Sequence, residues 1–475
     1  MSQKNKMVSK AIEDRDFTVV VRCRPPRYKE HEQLAVSIDL GTEEITLKDL
    51  DAKDESAAPK TFCFDRVFNS LASQQTIFDD VVRPLIQRVL EGYNGTILAY
   101  GEQGAGKTYT MTGNLYASKE DHGLVPRAIE EIFRGIENTK SKQYLVYCSF
   151  LLIYSEQITD LLSNEKRQRL VLRERTDGNV FALGSTSWHV KNSEELMGKY
   201  LQGLRQQQVL ATNMSVPSSR VFSIFAIRFE SFELDASGKV SACVNNLIFV
   251  DCAASTRSTK SGITDSRHQE ARNIAKSVST FGVVISALTD PKGKHIPYRD
   301  SKFTYLLKNS LGGNTKTILI ANIRPDGTCY NETLNTLRLA TRARLLKNIA
   351  KINYRDSILQ DIQAELNLLK RQLNFAQTGL DNQQMLLNQE NEPNQNGNEI
   401  EEEKDYNKRE KKHIESLIEA TMRQVARIEE IVDEQKNEAY KLLREKAKEC
   451  ERVIAHRVMV EAFIESIKNQ KPSIG

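Results

Sequence analysis

A glycine-rich stretch at residues 101–108 carries the residue types that bind phosphate. It reads GEQGAGKT and follows the apolar run TILAY. In such a loop backbone N–H groups point at the phosphates, the lysine reaches the β and γ phosphates, and the threonine hydroxyl binds Mg²⁺. A merely flexible glycine loop would not explain a lysine and a threonine in this register. The predicted nucleotide-binding residues are Gly101, Glu102, Gln103, Gly104, Ala105, Gly106, Lys107 and Thr108.

An aspartate at the end of a second apolar run is the candidate partner of this loop. Residues 246–256 read NLIFVDCAAST, and the apolar run ends at Asp251. In P-loop nucleotide hydrolases a carboxylate at this place holds Mg²⁺ through water, although a strand also ends in aspartate by chance. The third residue after this aspartate is usually glycine in those enzymes, and here it is Ala254. The substitution raises the question of whether the chain hydrolyses a nucleotide or only holds one.

The elements that must position these residues alternate along the chain from Phe17 to about Lys347. The predicted strands are 17–21, 96–100, 143–154, 221–230, 245–250 and 316–323. Helical patterns cover 74–91, 193–207 and 267–288. This alternation predicts one large α/β domain with a central and largely buried sheet.

Composition excludes several classes of protein. The net charge of +4 over 475 residues gives no reason to expect nucleic-acid binding, so any basic surface must be local. The seven cysteines lack metal-site spacing, which favours reduced thiols. The first residues contain no signal-peptide core, and no run approaches the roughly 20 apolar residues of a membrane span. We therefore expect an intracellular protein without a membrane span.

The chain beyond the α/β domain changes in character. An apolar seam with spacings of 3 and 4 runs from Leu359 to Leu373, and a longer one runs from Ile414 to Ile467. Such seams predict coiled coils, with a single amphipathic helix packed on the globular domain as the alternative. The predicted segments are a flexible N-terminus at 1–15, the globular domain at 16–346, a linker at 347–356, a short coiled coil at 357–376, a polar flexible segment at 377–406, a second coiled coil at 407–470 and a tail at 471–475.

The order of motifs in the globular part resembles the kinesin motor domain. The series is VVVRCRPP, FDRVF, GYNGTILAYGEQGAGKTYTMTG, IYSEQITDLL, SSR, DCAASTR, IPYRDSKFTYLLKNSLGGNTKT and TLNTLRLATRAR. Two stretches, VLEGYNGTILAYG and ATNM, look most like the kinesin-2 group, whose members often pair as heterodimers. The resemblance implies a P-loop NTPase fold with a central, mostly parallel β-sheet flanked by helices, followed by coiled-coil helices.

The resemblance also implies roles in an ATP and Mg²⁺ site. Arg24 and Pro25 would flank the adenine. Ser218, Ser219 and Arg220 would form the first switch, and residues 251–256 the second. The implied catalytic residues are Ser218, Ser219, Arg220, Asp251 and Ala254. The implied Mg²⁺ ligands are Thr108 directly, with Ser219 and Asp251 acting through water.

Microtubules are the implied partner. A helix beginning near Ala275 and the loop at 295–302 would face the track, and residues 347–353 would form the linker that docks when ATP binds. The loop and the residues before it contribute Lys292, Lys294, Arg299 and Lys302, which suit the acidic surface of tubulin, with an ordinary solvated loop as the alternative. We expect a homodimer or heterodimer in the cytoplasm, associated with the microtubule cytoskeleton, the cilium included.

The second switch departs most clearly from the kinesin pattern. Kinesins have Asp-Leu-Ala-Gly-Ser-Glu where this chain has DCAAST. Ala254 keeps an N–H for the γ-phosphate, but its Cβ disfavours positive φ by roughly 1–2 kcal/mol. Thr256 lacks the carboxylate that would pair with Arg220, a link of roughly 1.5–3 kcal/mol.

Other departures lie around the site. The first switch ends in Val221-Phe222 instead of Ser-His. Gln206 and Gln207 replace Asn-Arg, and Ala275 replaces Asn. Glu102 puts a negative charge on the phosphate loop unless its side chain points outward.

These changes leave two main hypotheses. The first is a kinesin-like microtubule-binding ATPase for microtubule-based movement, with hydrolysis weakened by the degenerate switches. The second is a nucleotide-binding, non-motile microtubule-binding subunit that partners an active kinesin. An unrelated P-loop enzyme, such as a small-molecule kinase, would leave IPYRDSKFT unexplained.

Overall fold

The computed structural model describes residues 15–355, with gaps at 28–33, 52–57, 140, 164–169, 176–177, 215–217, 235–239, 256–264 and 292–294. The chain divides into two units, Met1–Arg355 and Asp356–Gly475, and all described residues belong to the first. The coiled-coil predictions for 357–376 and 407–470 therefore lie outside the described residues. Among the helices that are described, none is long and apolar enough to span a membrane.

Fifteen strands are defined within the described residues. Their bounds are β1 Phe17–Cys23, β2 Val36–Asp39, β3 Glu44–Leu47, β4 Lys60–Cys63, β5 Arg66–Phe68, β6 Gly95–Gly101, β7 Lys142–Tyr154, β8 Gln157–Asp160, β9 Val171–Glu174, β10 Val180–Leu183, β11 Trp188–Val190, β12 Phe222–Leu234, β13 Val240–Asp251, β14 Lys316–Ile323 and β15 Tyr354–Arg355. The predicted strands all form, and β13 begins five residues before its predicted start at 245.

The central sheet has the order β11-β7-β12-β13-β6-β14-β1-β5. Strands β13, β6, β14, β1 and β5 are parallel, whereas β11, β7, β12 and β13 are antiparallel. The α/β architecture is as expected, but the sheet is mixed instead of mostly parallel. Both halves are covered on two faces, so an antiparallel strand here is as apolar as a parallel one. The apolar runs in the sequence therefore could not distinguish the parallel half of the sheet from the antiparallel half.

The helices cover the sheet. Their bounds are α1 Gln74–Ile77, a π-helical turn Phe78–Val82, α2 Arg83–Glu91, α3 Lys107–Met111, α4 Leu124–Asn138, α5 Ser193–Met214, α6 Asp265–Thr289, α7 Lys302–Leu306 and α8 Tyr330–Ala343. The helical prediction for 74–91 is divided by the π turn, and α5 runs seven residues past its predicted end. The helix expected to begin near Ala275 begins at Asp265.

Two apolar cores lie on opposite faces of the sheet. In β1, Val20 belongs to one core and Val19 and Val21 to the other, as the two-residue period of a strand requires. Each large aliphatic side chain buried in this way contributes about 1.5–3 kcal/mol relative to exposure.

Strand pairing also sets the position of the candidate site. Strand β13 pairs in parallel with β6 and places Asp251 opposite Ala99. On the other side of β6, strand β14 places Asn322 opposite Gly101. The carboxyl ends of parallel strands meet at one edge of a sheet, so the glycine-rich loop and Asp251 emerge side by side.

Candidate nucleotide site and its switch loops

The phosphate loop needs glycine where it leaves β6. Gly101 has φ +148°, and a Cβ there would lie 2.1 Å from the carbonyl oxygen of Asn322. Gly104 and Gly106 also have positive φ values, of +77° and +96°. These conformations are open to glycine and strained for other residues, so the local backbone path explains the glycines.

Lys107 is the first residue of α3 and is almost completely buried. Its amine donates to the carbonyl oxygens of Gly101, at 3.0 Å, and Glu102, at 2.8 Å. Burial lowers the pKa of Lys107, while nearby carboxylates, Asp251 first, act to raise it. A buried cation in a loop whose backbone N–H groups can also face a ligand suits an anionic ligand.

Thr108 and Asp251 contact each other directly. The Thr108 hydroxyl donates to Asp251 Oδ2 at 2.5 Å, and Asp251 Oδ1 is buried without a hydrogen-bond partner. Burial raises the pKa of Asp251, and the Thr108 hydrogen bond and Lys107 oppose that shift. An unsatisfied carboxylate oxygen beside a hydroxyl fits Mg²⁺, which prefers oxygen ligands.

The other predicted residues of the nucleotide site are Arg24, Pro25, Gln103 and Ala105. Arg24 Nε donates to the Gly104 carbonyl oxygen at 2.8 Å, and its Nη1 donates to the Pro25 carbonyl oxygen at 2.7 Å. Of the two expected adenine-flanking residues, Arg24 therefore lies against the phosphate loop. Within the loop, Gln103 is exposed and Ala105 is buried.

Glu102 points into the domain instead of outward. Its side chain is 1% exposed, and its Oε1 accepts a hydrogen bond from Thr333 of α8 at 3.0 Å. Burial raises the pKa of Glu102 to about 7, although Thr333 and Arg324 act to lower it. At neutral pH the carboxyl is thus partly protonated, which reduces the negative charge that the sequence suggests for this loop.

The two switch candidates meet through their backbones. Ser218–Arg220 form a 3-10 turn, and the Ala254 N–H donates to the Ser219 carbonyl oxygen at 2.8 Å. The next residue, Ser255, donates its N–H to the Gly101 carbonyl oxygen at 3.1 Å. The implied catalytic residues Ser219, Arg220, Asp251 and Ala254 thus lie next to the phosphate loop, while the side chain of Ser218 is outside what is described.

Ala254 does not show the expected strain. Positive φ among the described non-glycine residues is confined to Glu43, Ser155 and Glu156. The Cβ of Ala254 therefore costs nothing in this conformation, and any penalty would arise only if the switch had to rearrange. Thr256 lies outside the described residues.

The Val-Phe end of the first switch is part of the hydrophobic core. Val221 and Phe222 are buried in the cores on opposite faces of the sheet. Beside them, Ser223 donates to Gln207 Oε1 of α5 at 3.2 Å. The altered residues at 207, 221 and 222 are therefore packed or hydrogen-bonded.

The candidate track-facing loop carries less free positive charge than its sequence suggests. Arg299 is 75% exposed but pairs with Glu174 Oε2 at 3.1 Å, and Lys308 pairs with the other oxygen of Glu174. These contacts, Lys308 first, lower the pKa of Glu174 to about 2. Lys302 is half-buried, and Lys292 and Lys294 lie outside the described residues.

Sequence reasoning missed Glu156, at the tip of the β7–β8 hairpin. Its Oε1 accepts from Ser277 of α6 at 2.5 Å and from Ser301 at 3.1 Å, and its Oε2 accepts from the Lys302 N–H at 2.8 Å. The short turn between two β-rich runs was a usable signal for the hairpin, because such turns favour positive φ. Nothing local signalled the long-range contacts of the carboxylate.

The predicted linker lies along the domain over its described part. The Ile349 N–H donates to the Gly313 carbonyl oxygen and the Asn353 N–H to that of Gly92, both at 3.0 Å. Asn314 Nδ2 also donates to Asn353 Oδ1 at 2.9 Å, and β15 then pairs with β13. The asparagines that hold the linker carry no sequence motif and were not predicted.

Comparison with known proteins agrees with this geometry. The family model for the kinesin motor domain matches residues 22–346. A solved structure described as a fast kinesin has 38% sequence identity and a TM-score of 0.65, and the match covers 72% of this chain and 95% of that chain.

Two curated relatives are kinesin-like proteins of the same name. KIF3C of Bos taurus is 39% identical over 395 residues, which cover 77% of this chain and 50% of that protein. KIF3C of Mus musculus is 39% identical over 399 residues, with the same two coverages. The chain thus spans about half the length of these relatives.

Proposed function

The chain belongs to the kinesin motor-domain family, and from that membership we propose that it binds Mg-ATP and microtubules and hydrolyses ATP slowly. Lys107 and Thr108 would hold the phosphates, while Thr108 would hold Mg²⁺ directly, with Ser219 and Asp251 contributing through water. Bound Mg²⁺ would supply charge neutralisation at the phosphoryl oxygens. The arrangement supports this activity because the groups that bind phosphate and metal are present and adjacent.

The proposal that ATP hydrolysis is slow rests on the hydrogen bond from the Ala254 N–H to the Ser219 carbonyl oxygen. The backbone N–H that is available for a γ-phosphate donates here to the first switch, at 2.8 Å. Before that amide can meet the phosphate, Ala254 has to leave the carbonyl of Ser219. The chain also has Thr256 at the position where kinesins place a carboxylate to pair with the switch arginine. The closed state would then lack a charge-assisted link of roughly 1.5–3 kcal/mol.

The second candidate is a nucleotide-binding subunit that does not move by itself. The binding residues Lys107, Thr108 and Asp251 are retained, whereas the changes fall in the two switches. A chain of this kind would attach to the microtubule and pair with an active kinesin. The relatives of the protein are of the kinesin-2 type, in agreement with the motif resemblance.

We further propose microtubule attachment through the loop at 295–302 and the exposed face of α6. Arg299 and Lys276 are exposed there, and positive charge favours encounter with an acidic surface. Pairing would occur through the seams at 357–376 and 407–470, as a homodimer or heterodimer. A cytoplasmic location on microtubules, the cilium included, follows from the same partners.

Phosphate release with and without microtubules distinguishes the two candidates. The experiment compares the parent chain with Lys107→Ala, which removes the phosphate-binding amine and sets the background. A slow rate that rises with microtubules supports the weak motor. Binding of labelled ATP and of microtubules without release above background supports the non-motile subunit. Failure to bind labelled ATP would overturn both.

A further inference from the structure

Four aromatic rings form a continuous row within one apolar core of the motor domain. Phe222 stacks on Phe303, with ring centroids 4.1 Å apart and an interplanar angle of 27°. Phe303 lies 5.7 Å from Phe281, and Phe281 lies 5.4 Å from Tyr100. All four residues are buried in the same apolar core.

Each ring comes from a different functional element. Phe222 begins β12 at the end of the first switch, two residues after Arg220. Phe303 is the second residue of α7, which follows the 295–302 loop. Phe281 belongs to α6. Tyr100 precedes the phosphate loop, and its hydroxyl hydrogen-bonds Ser255 of the second switch.

The position of Phe303 depends on the loop that precedes it. Ser301 Oγ accepts the Phe303 N–H at 3.1 Å and donates to Glu156 Oε1 at 3.1 Å. Glu156 also accepts from Ser277 of α6 at 2.5 Å. A shift of the loop relative to α6 must therefore displace Phe303 or break these hydrogen bonds.

The stack allows little independent movement of its two rings. Phe222 is 3% exposed and Phe303 is fully buried. Close-packed interiors transmit displacement because voids are costly, and offset-stacked rings hold their separation. A phenylalanine at 222, where kinesins have histidine, makes this contact wholly apolar.

We propose that Phe222 and Phe303 are positioning residues that connect the track-facing loop to the first switch. This inference rests on the proposed function, because it assumes that the loop at 295–302 contacts the microtubule. Microtubule binding would move α7, and the stacked rings would carry that movement to Ser219 and Arg220. Coupling of this kind is reciprocal. Microtubules must change the affinity for nucleotide by the same factor by which nucleotide changes the affinity for microtubules.

The test measures that coupling factor without requiring hydrolysis. The Kd for labelled ADP is determined with and without saturating microtubules for the parent, Phe222→Leu, Phe303→Leu and the double variant. The matched control is Phe229→Leu, because Phe229 is fully buried in the same strand but in the core on the opposite face. Thermal unfolding of every variant reports any shared loss of stability.

We expect microtubules to change the parent's Kd by about tenfold, within the usual range for allosteric coupling. Each single variant should bring that factor close to one, and the double variant should do no more. Phe229→Leu should lose stability and keep the coupling.

Four outcomes overturn the inference. An equal loss of coupling in Phe229→Leu would show a general packing effect, and multiplicative effects in the double variant would show that the rings act separately. If the parent binds microtubules but its Kd for ADP does not change, the proposed microtubule binding stands and the proposed role of the two rings is wrong. A parent that does not bind microtubules at all would overturn the proposed function together with the inference.

Discussion

The backbone N–H of Ala254 donates a 2.8 Å hydrogen bond to the carbonyl oxygen of Ser219. The bond joins the element that follows Asp251 to the 3-10 turn at 218–220, directly beside the phosphate loop. A bound γ-phosphate and Ser219 would therefore compete for the same donor. Loss of a hydrogen bond to a neutral group costs about 0.5–1.5 kcal/mol, while one to a charged group is worth about 1.5–3 kcal/mol. The exchange is favourable only if the switch rearranges easily.

Restoring the second switch should accelerate hydrolysis. Thr256→Glu returns a carboxylate for Arg220, and Ala254→Gly returns backbone freedom to the turn. The two sites are close enough to couple, so the double variant should exceed the product of the single effects. We expect an increase of about ten- to a hundredfold in microtubule-stimulated phosphate release, since about 1.4 kcal/mol is tenfold in rate.

The control for the charge is Thr256→Gln with Ala254→Gly, which matches the size of glutamate without its carboxylate. Equal acceleration in this control would show that the ion pair with Arg220 is not the missing element. A parent that already turns over as fast as ordinary motors would contradict the whole explanation.

Lys107→Ala should weaken ATP binding by about ten- to a hundredfold. The amine now held by the Gly101 and Glu102 carbonyl oxygens would bond a phosphate, and such charged hydrogen bonds are worth about 1.5–3 kcal/mol. Fluorescence titration with labelled ATP measures the change. Lys119→Ala is the control, because Lys119 is an exposed lysine that pairs with Glu130. Unchanged affinity in Lys107→Ala would refute the assignment of the site.

Glu102→Gln should stabilise the domain above neutral pH. The pKa of Glu102 rises from 4.5 to about 7 on folding because of burial. The folded state therefore binds the proton more tightly, so stability is complete below pH 4.5 and falls as the pH rises through about 7. Glutamine carries no proton to lose and should gain up to about 3 kcal/mol at high pH.

Urea unfolding of the parent and the Glu102→Gln variant at pH 5 and pH 8 measures this effect. The difference in the free energy of unfolding between the two proteins should be larger at pH 8. Glu130→Gln, at an exposed site in an ion pair with Lys119, should show no such trend. A constant difference at the two pH values would mean that Glu102 ionises normally in the folded state.

Glu174→Gln should tighten microtubule binding. Glu174 holds Arg299 and Lys308 in ion pairs, and its low pKa keeps it ionised throughout the physiological range. Neutralising it releases positive charge next to the track-facing loop, so co-sedimentation should show higher affinity at low salt, with the gain lost at high salt. Glu130→Gln again serves as the control. A decrease in affinity would show instead that Glu174 orients Arg299 for binding.

The full chain should sediment as a dimer at micromolar concentration, and a chain ending at residue 356 as a monomer. The seam from Ile414 to Ile467 places apolar residues at most a and d positions, but Lys446 and His456 weaken self-pairing. If the chain associates weakly with itself but forms a stable dimer with another kinesin chain, the native assembly is a heterodimer. A monomer in both conditions would contradict the coiled-coil prediction.

The stretch from 96 to 108 could be interpreted without a structure because its function depends on short-range geometry. A buried strand followed by glycines, a lysine and a threonine restricts the backbone path within a few residues. Asp251 was predicted for the same reason, since it ends an apolar run and parallel strands bring their carboxyl ends together. The mixed arrangement of the sheet was not predictable, because the antiparallel strands β7 and β12 place side chains in both cores, as the parallel strand β6 does.

Side-chain environments, in contrast, depended on residues far away along the chain. Glu102 is buried because Thr333, 231 positions later, folds against it. Glu156 holds Ser277 and Ser301, which are 121 and 145 positions away, and Phe222 stacks on Phe303 of a distant helix. Residue types and spacing specify which groups are present, but a pKa, an ion pair or a ring contact requires atoms within a few ångströms of one another. Packing of the sheet and helices alone brings those atoms together.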